Sequence, residues 1–379
     1  MNSANGPDTG PGPGPGPDLG PRAPRGGGTA LVLDRLRAAG AAGISRLELA
    51  ERTGLTPQAV SKITARLRAA GLAAEAGRRA STGGKPRTVL RLRPEAGHAV
   101  GVHLDRDELR AVLVDLAGTV TGERRAPLDL GAGAAAVLTD VSRAVTDLVT
   151  DVLRTPAPPT LRGAGVALPG PLDHTRGVLH RVTGFPAWDG FPLRDALARR
   201  LGVPVVVDKD TNAAALGLAV GGEPGSFAYL HLGTGLGAGL VFDGSVHRGA
   251  RTGAGEFGHQ VIQLDGPPCP CGARGCVEAL CLAAVARGDL AEAARVLGTG
   301  AANLAGLLDI DLVLLGGRTV TGAPDEFVGG VGAVLDARAR RAGGRAGAVP
   351  VRVAPGGARA IAEGAAQLVL APLFGRGDA

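Results

Sequence analysis

The stretch GAGEFGHQVIQLDGPPCPCGARGCVE (253–278) holds three of the four cysteines of the chain, Cys269, Cys271 and Cys276, on one Gly/Pro-rich loop. His259 stands ten residues ahead of the first of them. Thiolates and an imidazole at this spacing, with glycines at the turns, make the closed four-coordinate set that a structural zinc takes. Buried or disulfide-paired thiols are the plainer alternative, and the tight spacing favours metal over them. Cys281 lies just beyond, on the expected following helix, and reads as a packed small hydrophobe.

Outward from this loop the pattern is α/β. AVGVHL (99–104) and RAVLVDL (110–116) read as paired strands, with a turn at Ala117-Gly118. A helix is expected over 134–153, stopped by PAPP (156–159), and GAGVALPG (163–170) is a buried strand ending in a turn. VPVVVDKDTNAAALG (203–217) is a strand entering a helix, FAYLHLGTGLGAGLVFDG (227–244) is strand, Gly turn and strand, and DLVLLGG (311–317) is a further strand. Strand–strand–helix blocks in two halves point to an actin-like, ribonuclease-H-type fold, in which two lobes enclose a cleft.

The N-terminal part differs in kind. Residues 1–28 carry PGPGPGP and GGG and cannot build a core, so a disordered tail is expected. Residues 29–97 hold thirteen Lys and Arg against five Asp and Glu, while the whole chain of 379 residues carries a net charge of only +6. Basic charge confined to one small unit is the electrostatic footprint of a nucleic-acid binder. Three short helices are expected there. The second has Ser45 and Glu48 as a capping box. The third has Thr56 as N-cap and Pro57 at its first position, with Val60, Ile63 and Leu67 on one face. This is the helix-turn-helix arrangement, and the outer face of the third helix offers Gln58, Ser61, Lys62 and Arg66 to DNA. A solvated helix of an ordinary bundle is the competing account; the basic excess and the caps favour the DNA binder. A basic wing over 72–93 follows, with Lys85 and Arg87 in TGGKPR (82–87) placed to enter a minor groove. No signal peptide and no run long and apolar enough to span a membrane is visible, so a cytoplasmic protein is expected, which suits a thiolate site.

GAGEFGH (253–259), CPCGARGCVE (269–278), the TGGKPR turn and the Gly-rich LGTGLGAG (232–239) together resemble the ROK family of sugar-responsive repressors and sugar kinases. The resemblance extends over most of 29–379 and implies an α/β actin-like two-lobed sugar-kinase fold behind an N-terminal winged helix-turn-helix. The expected division is a tail at 1–28, a DNA-binding unit at 29–97 and a sugar domain at 98–379, with lobes of roughly 98–215 and 216–379. By the same resemblance, Gly170, Lys209, Asp210, Glu256, His259 and Glu278 line a sugar site. His259 serves both sugar and zinc, and Asp210 stands where the kinases keep their general base.

Three departures from the family pattern bear on function. Family kinases cradle phosphate with Asp-x-Gly-Gly-Thr after the first strand. Here GVHLDRDELR (101–110) puts His103, Asp105, Arg106 and Asp107 at those positions. Side chains fill the space and carboxylates face where phosphate oxygens would lie, so kinase activity is not expected and Asp210 is read as vestigial. Lys209 stands in place of an Asn; an ammonium only donates, so it either pairs with Asp210 or favours an anionic ligand. The stretch from Glu278 to Asp311 is also short for the family. The expectation is a sugar-responsive DNA-binding transcription regulator, a repressor, whose partners are an operator duplex, a sugar effector and a second copy or three further copies of the chain. A sugar kinase with an accessory DNA-binding domain is the alternative, and a constitutive DNA binder that senses nothing is a third.

Overall fold

A computed structural model describes residues 27–81, 84–180, 182, 185–343 and 348–376, with no side-chain description for 79–81 and 84–86. The tail expected at 1–28 lies outside the described residues up to position 26, and the first helix, α1 (Gly27–Ala39), takes in Gly27 and Gly28. After it come β1 (Ile44–Ser45), α2 (Arg46–Thr53), α3 (Pro57–Ala69), β2 (Ala73–Ser81) and β3 (Gly84–Leu92). Both sequence-read caps are made. Ser45 Oγ accepts from Glu48 N–H while the Glu48 carboxylate accepts from Ser45 N–H, and Thr56 Oγ1 accepts from Ala59 N–H. β2 and β3 pair antiparallel as the wing, and β1 adds to the other edge of β3.

The rest of the chain builds two five-stranded sheets of the same topology. In the first, β4 (His98–Leu104), β5 (Glu108–Asp115) and β6 (Val120–Pro127) form an antiparallel meander. α4 (Ala134–Leu153) then leads to β7 (Leu161–Leu168), which lies parallel to β4. A small hairpin, β8 (Leu172–Asp173) and β9 (Val178–Leu179), and α5 (Leu193–Leu201) precede β10 (Val205–Lys209), parallel to β7. α6 (Asp210–Val220) carries the chain to the second sheet. There β11 (Phe227–Leu232), β12 (Leu236–Phe242) and β13 (Ser245–Val246) repeat the meander. α7 (Val277–Ala286) and α8 (Leu290–Leu308) follow the Cys-rich loop, and β14 (Leu312–Gly316) lies parallel to β11. α9 (Arg318–Gly322), α10 (Pro324–Arg341) and β15 (Val351–Val353), parallel to β14, complete it. The two strand orders, β6-β5-β4-β7-β10 and β13-β12-β11-β14-β15, are the same order written twice, which is the two-lobed ribonuclease-H-type duplication.

Burial follows the elements. One apolar core lies between the first sheet and α4 and α5, with Leu104, Leu113, Val141 and Trp188 at most 1 % exposed. Another packs the second sheet on α7, α8 and α10 around Val277, Leu297 and Phe327. The stretch from Glu278 to Asp311, read from sequence as short, is filled by α7 and α8. The last helix, α11 (Ala360–Leu370), does not stay with the sequence before it. It crosses back onto β4 and β7 of the first sheet and meets α6. Its approach is so close that a Cβ on Gly165 would stand 1.8 Å from the Ala365 carbonyl oxygen. The helix-turn-helix shares its core with this region: Leu36, Leu49, Val60 and Leu67 belong to one cluster with Val112, Val114, Ala366, Leu370 and Phe374.

Candidate functional site: a polar cleft beside a thiol-rich loop

The Cys-rich loop folds on itself before α7 starts. Ile262 N–H donates to the Gly275 carbonyl, Gly275 N–H to Pro267, and Val277 N–H to Gln260. This brings His259, Cys269, Cys271 and Cys276 together, with their ligand atoms all within 4.8 Å of one another. His259 Nδ1 lies 3.6 Å from Cys269 Sγ, and the Sγ atoms of Cys271 and Cys276 are 3.7 Å apart. All four cysteines are free thiols. Burial and the two neighbouring thiols push the Cys276 thiol up to about 12, the penalty expected where thiolates crowd without a cation. The cluster can hold a metal ion. Cys281 stays outside it, buried in α7 with its thiol on the Ala293 carbonyl.

His259 also lines a cleft, and so do Gly170, Lys209, Asp210, Glu256 and Glu278, so every residue assigned to the sugar site by resemblance meets in one place. Each is placed by an element end. β10 delivers Lys209 and the first turn of α6 delivers Asp210. Glu278 sits in the first turn of α7 and its carboxylate accepts from Leu236 N–H at 2.8 Å.

Lys209 does not pair with Asp210, the first of its two expected fates. Its ammonium donates to Glu256 Oε1 at 2.9 Å and to the Ala254 carbonyl, and only 4 % of the side chain is exposed. The side-chain direction at the strand end carries it past Gly170 toward Glu256, away from the helix that starts with Asp210. Beneath it Asp208 and Arg248 form a buried ion pair at 2.7 Å, and Asn212 donates to the same carboxylate. Forty residues separate Asp208 from Arg248, and no local pattern in the sequence marked the pair.

The side of the cleft at the β4–β5 turn is tied together by the chain itself. Asp105 Oδ1 accepts from Thr234 of the Gly-rich β11–β12 turn at 2.8 Å. Arg318, at the start of α9, donates to Asp105 at 2.5 Å and to both oxygens of Asp107 at 2.6 and 2.9 Å. These bonds raise the pKa of Arg318, that to Asp107 most. They also hold Asp107 below the usual carboxylate range. Burial works against the Asp105 carboxylate, but the Arg106 N–H, Arg318 and Thr234 outweigh it and its pKa is lowered. The two carboxylates therefore do not simply face outward as repelling charges, as the sequence implied; Arg318 pairs with both and offsets part of their charge. Arg318 directly follows the LGG turn, which had been read only for its glycines. His103 lies under the turn, and burial brings it down to about 4. Its ring stands edge-on to His231, 6.4 Å between centroids. The retained glycines serve the fold directly: a Cβ on Gly239 would stand 2.1 Å from the Thr211 carbonyl.

In the helix-turn-helix unit, Gln58, Ser61, Lys62 and Arg66 are exposed on α3, Thr56 caps it, and Arg87 is exposed on β3. The Lys85 side chain lies outside the described residues.

Known proteins resemble both parts. The ROK family model matches residues 99–286, and a winged helix-turn-helix DNA-binding model matches 32–73. A crystal structure of a ROK hexokinase from Thermus thermophilus is 32 % identical, with 71 % of this chain covering 96 % of that one at a TM-score of 0.57. The chain belongs to the ROK family. A ROK family transcriptional regulator, a homologue of the E. coli MLC protein, shares the fold over 92 % of this chain and 97 % of its own at a TM-score of 0.69 and 20 % identity. The xylose repressor of Caldicellulosiruptor bescii is 32 % identical over 240 residues, 62 % of this chain. This ROK chain spans 59 % of that repressor's length in the match. Among the described residues no helix is long and apolar enough to cross a membrane.

Proposed function

We propose that this ROK protein is a sugar-responsive DNA-binding transcription regulator, acting as a repressor, whose kinase fold no longer transfers phosphate. One observation carries the proposal: the helix-turn-helix and the cleft are joined by α11. α6 begins with Asp210 in the cleft and packs on α11. α11 runs into Phe374 and Arg376 at the C-terminal end. Phe374 lies under the Arg37 guanidinium at 4.8 Å, and Arg376 pairs with Asp34 of α1 at 2.8 Å. An effector that binds one lobe angle better than another biases the DNA-binding unit through this path, by no more than its difference in affinity for the two states. The named xylose repressor among its relatives supports the same function.

The thiol loop fits zinc. A tetrahedral ion with Zn–S of about 2.3 Å and Zn–N of about 2.0–2.1 Å needs edges of about 3.6–3.8 Å; the His259–Cys269 and Cys271–Cys276 pairs stand at 3.6 and 3.7 Å, and all four ligand atoms lie within 4.8 Å of one another. Bound there, zinc would fix the segment from which Glu256 and His259 reach the cleft. It takes no part in a reaction.

A sugar kinase remains the second reading, since a ROK hexokinase is among the relatives. The tie of Arg318 and Thr234 to Asp105 and Asp107 speaks against it, because it occupies the turn where phosphates would be cradled. A cytoplasmic homodimer or homotetramer fits the regulator, with a symmetric pair of α3 helices reading an inverted repeat. Selection from random duplexes with the full zinc-loaded chain is expected to recover such a repeat, with half-sites about one or two helical turns apart. Lys62→Ala should weaken binding to all selected duplexes alike, and Gln58→Ala should change which duplexes are selected. A sugar from a neutral and acidic panel should shift the affinity. Failure to select any sequence would sink the DNA-binding function, and selection with no sugar effect would leave a constitutive binder.

A further inference from the structure

Two cations of the first lobe line the cleft, Lys209 and Arg106. Lys209 passes Gly170 so closely that a Cβ there would stand 2.6 Å from its Cδ. Its ammonium is buried and spends two of its three N–H donors on Glu256 and the Ala254 carbonyl. Arg106 comes from the β4–β5 turn. Its guanidinium lies 5.6 Å over the Phe185 ring and has no carboxylate partner among the described residues. Each carboxylate around these cations already holds at least one partner within the chain. Glu278 accepts from Leu236 N–H, Glu256 from Lys209, and Asp105 from Arg318 and Thr234. Asp210 Oδ1 accepts from Thr211 N–H, and Oδ2 has no partner among the described residues.

A neutral polyol can donate to the second oxygen of Glu256, but it leaves the guanidinium without an anion. A ligand with its own anionic group meets the third ammonium N–H and the unpaired guanidinium in charge-assisted bonds, roughly twice as strong as neutral ones. The planar guanidinium fork fits both carboxylate and phosphate. A hydroxyl of the same ligand can donate to Asp210.

We infer that the effector is a sugar bearing an anionic group, a sugar acid or a sugar phosphate, held by Lys209 and Arg106 with Asp210 accepting from a hydroxyl. This rests on the sugar-sensing function proposed above. It makes Lys209 and Arg106 the residues that set specificity, in a pocket whose acidic composition alone points to neutral polyols.

The test is calorimetry on the full zinc-loaded chain with matched sets: glucose, glucuronate and glucose 6-phosphate; xylose and xylonate; N-acetylglucosamine and its 6-phosphate. One charged member should bind about tenfold or more tighter than its neutral parent, and the binding should weaken as salt rises. The carboxylate and phosphate arms decide which anion it is. Arg106→Gln should lose about tenfold or more for the charged member and leave the neutral parent and the thermal midpoint unchanged. Lys209→Asn should move preference toward the neutral parent; because Lys209 is buried, the partly exposed Arg106 variant keeps the outcome interpretable if Lys209→Asn fails to fold. A neutral sugar that binds as tightly as its charged partners, or an Arg106→Gln variant that binds them unchanged, overturns the inference and leaves sugar sensing standing. If no member binds, sugar sensing itself fails and the inference falls with it.

Discussion

Asp105 and Asp107 leave the end of β4 on one turn, and both carboxylates meet the guanidinium of Arg318 across the cleft. Their pKa values are depressed, so the contribution of this tie is present above the ordinary aspartate range near pH 4 and is lost as pH falls through the lowered values. At neutral pH it is fully made. Phosphoryl transfer depends on positioning and on neutralising charge over the phosphate oxygens, and here the cation and the space are both taken. A coupled assay with glucose, N-acetylglucosamine, xylose and fructose at millimolar ATP should therefore show no turnover above background. Turnover that vanishes in Asp210→Asn would restore the kinase. The thiols make the other residue-scale prediction. Metal analysis should find about one zinc per chain. Cys276→Ala should lose the metal and lower the thermal midpoint, while Cys281→Ala keeps the metal, because its thiol points to the Ala293 carbonyl. Metal-free protein that melts like the loaded form and binds DNA and sugar equally well would remove the structural role.

α6 and α11 cross where glycines let the backbones touch. A Cβ on Gly364 would stand 1.9 Å from the Ala213 carbonyl oxygen, and backbone on both sides cannot move aside cheaply. Gly364→Ala should cost about 1–3 kcal/mol or more, read as a lowered thermal midpoint. In whatever fraction stays folded, it should also weaken the effect of effector on DNA affinity more than it weakens either binding event alone. Unchanged coupling in a folded Gly364→Ala protein would show that the signal does not pass through this crossing. At this scale the sequence was legible where local chemistry sets the element. α3 starts at Pro57 because Thr56 caps it, and α4 runs over 134–153, ahead of the PAPP breaker, as expected. β6 was not legible. Its sequence VTGERRAP has few apolar residues, its exposure alternates, and only pairing with β5 makes it a strand. β1, two residues long, was missed for the same reason.

The whole molecule is more continuous than its composition implies. The basic excess at 29–97 and the near-neutral remainder read as separate units, yet the helix-turn-helix core runs into Val112, Ala366 and Phe374 without a break. The C-terminal residues fasten α1 to the first lobe, with Arg37 on the Ala117 carbonyl and Arg376 on Asp34. The amino-acid sequence alone determined what depends on neighbours along the chain: the caps, the helical and strand periods, the spacing of the thiols, and the family to which the motifs belong. The tertiary structure decided which distant charges meet. Lys209 found Glu256 and not Asp210, and Arg318 closed on Asp105 and Asp107 over more than two hundred residues. A side chain's partner is set by where element ends converge, and that convergence is a property of packed sheets and helices, with no trace in the local order of residues.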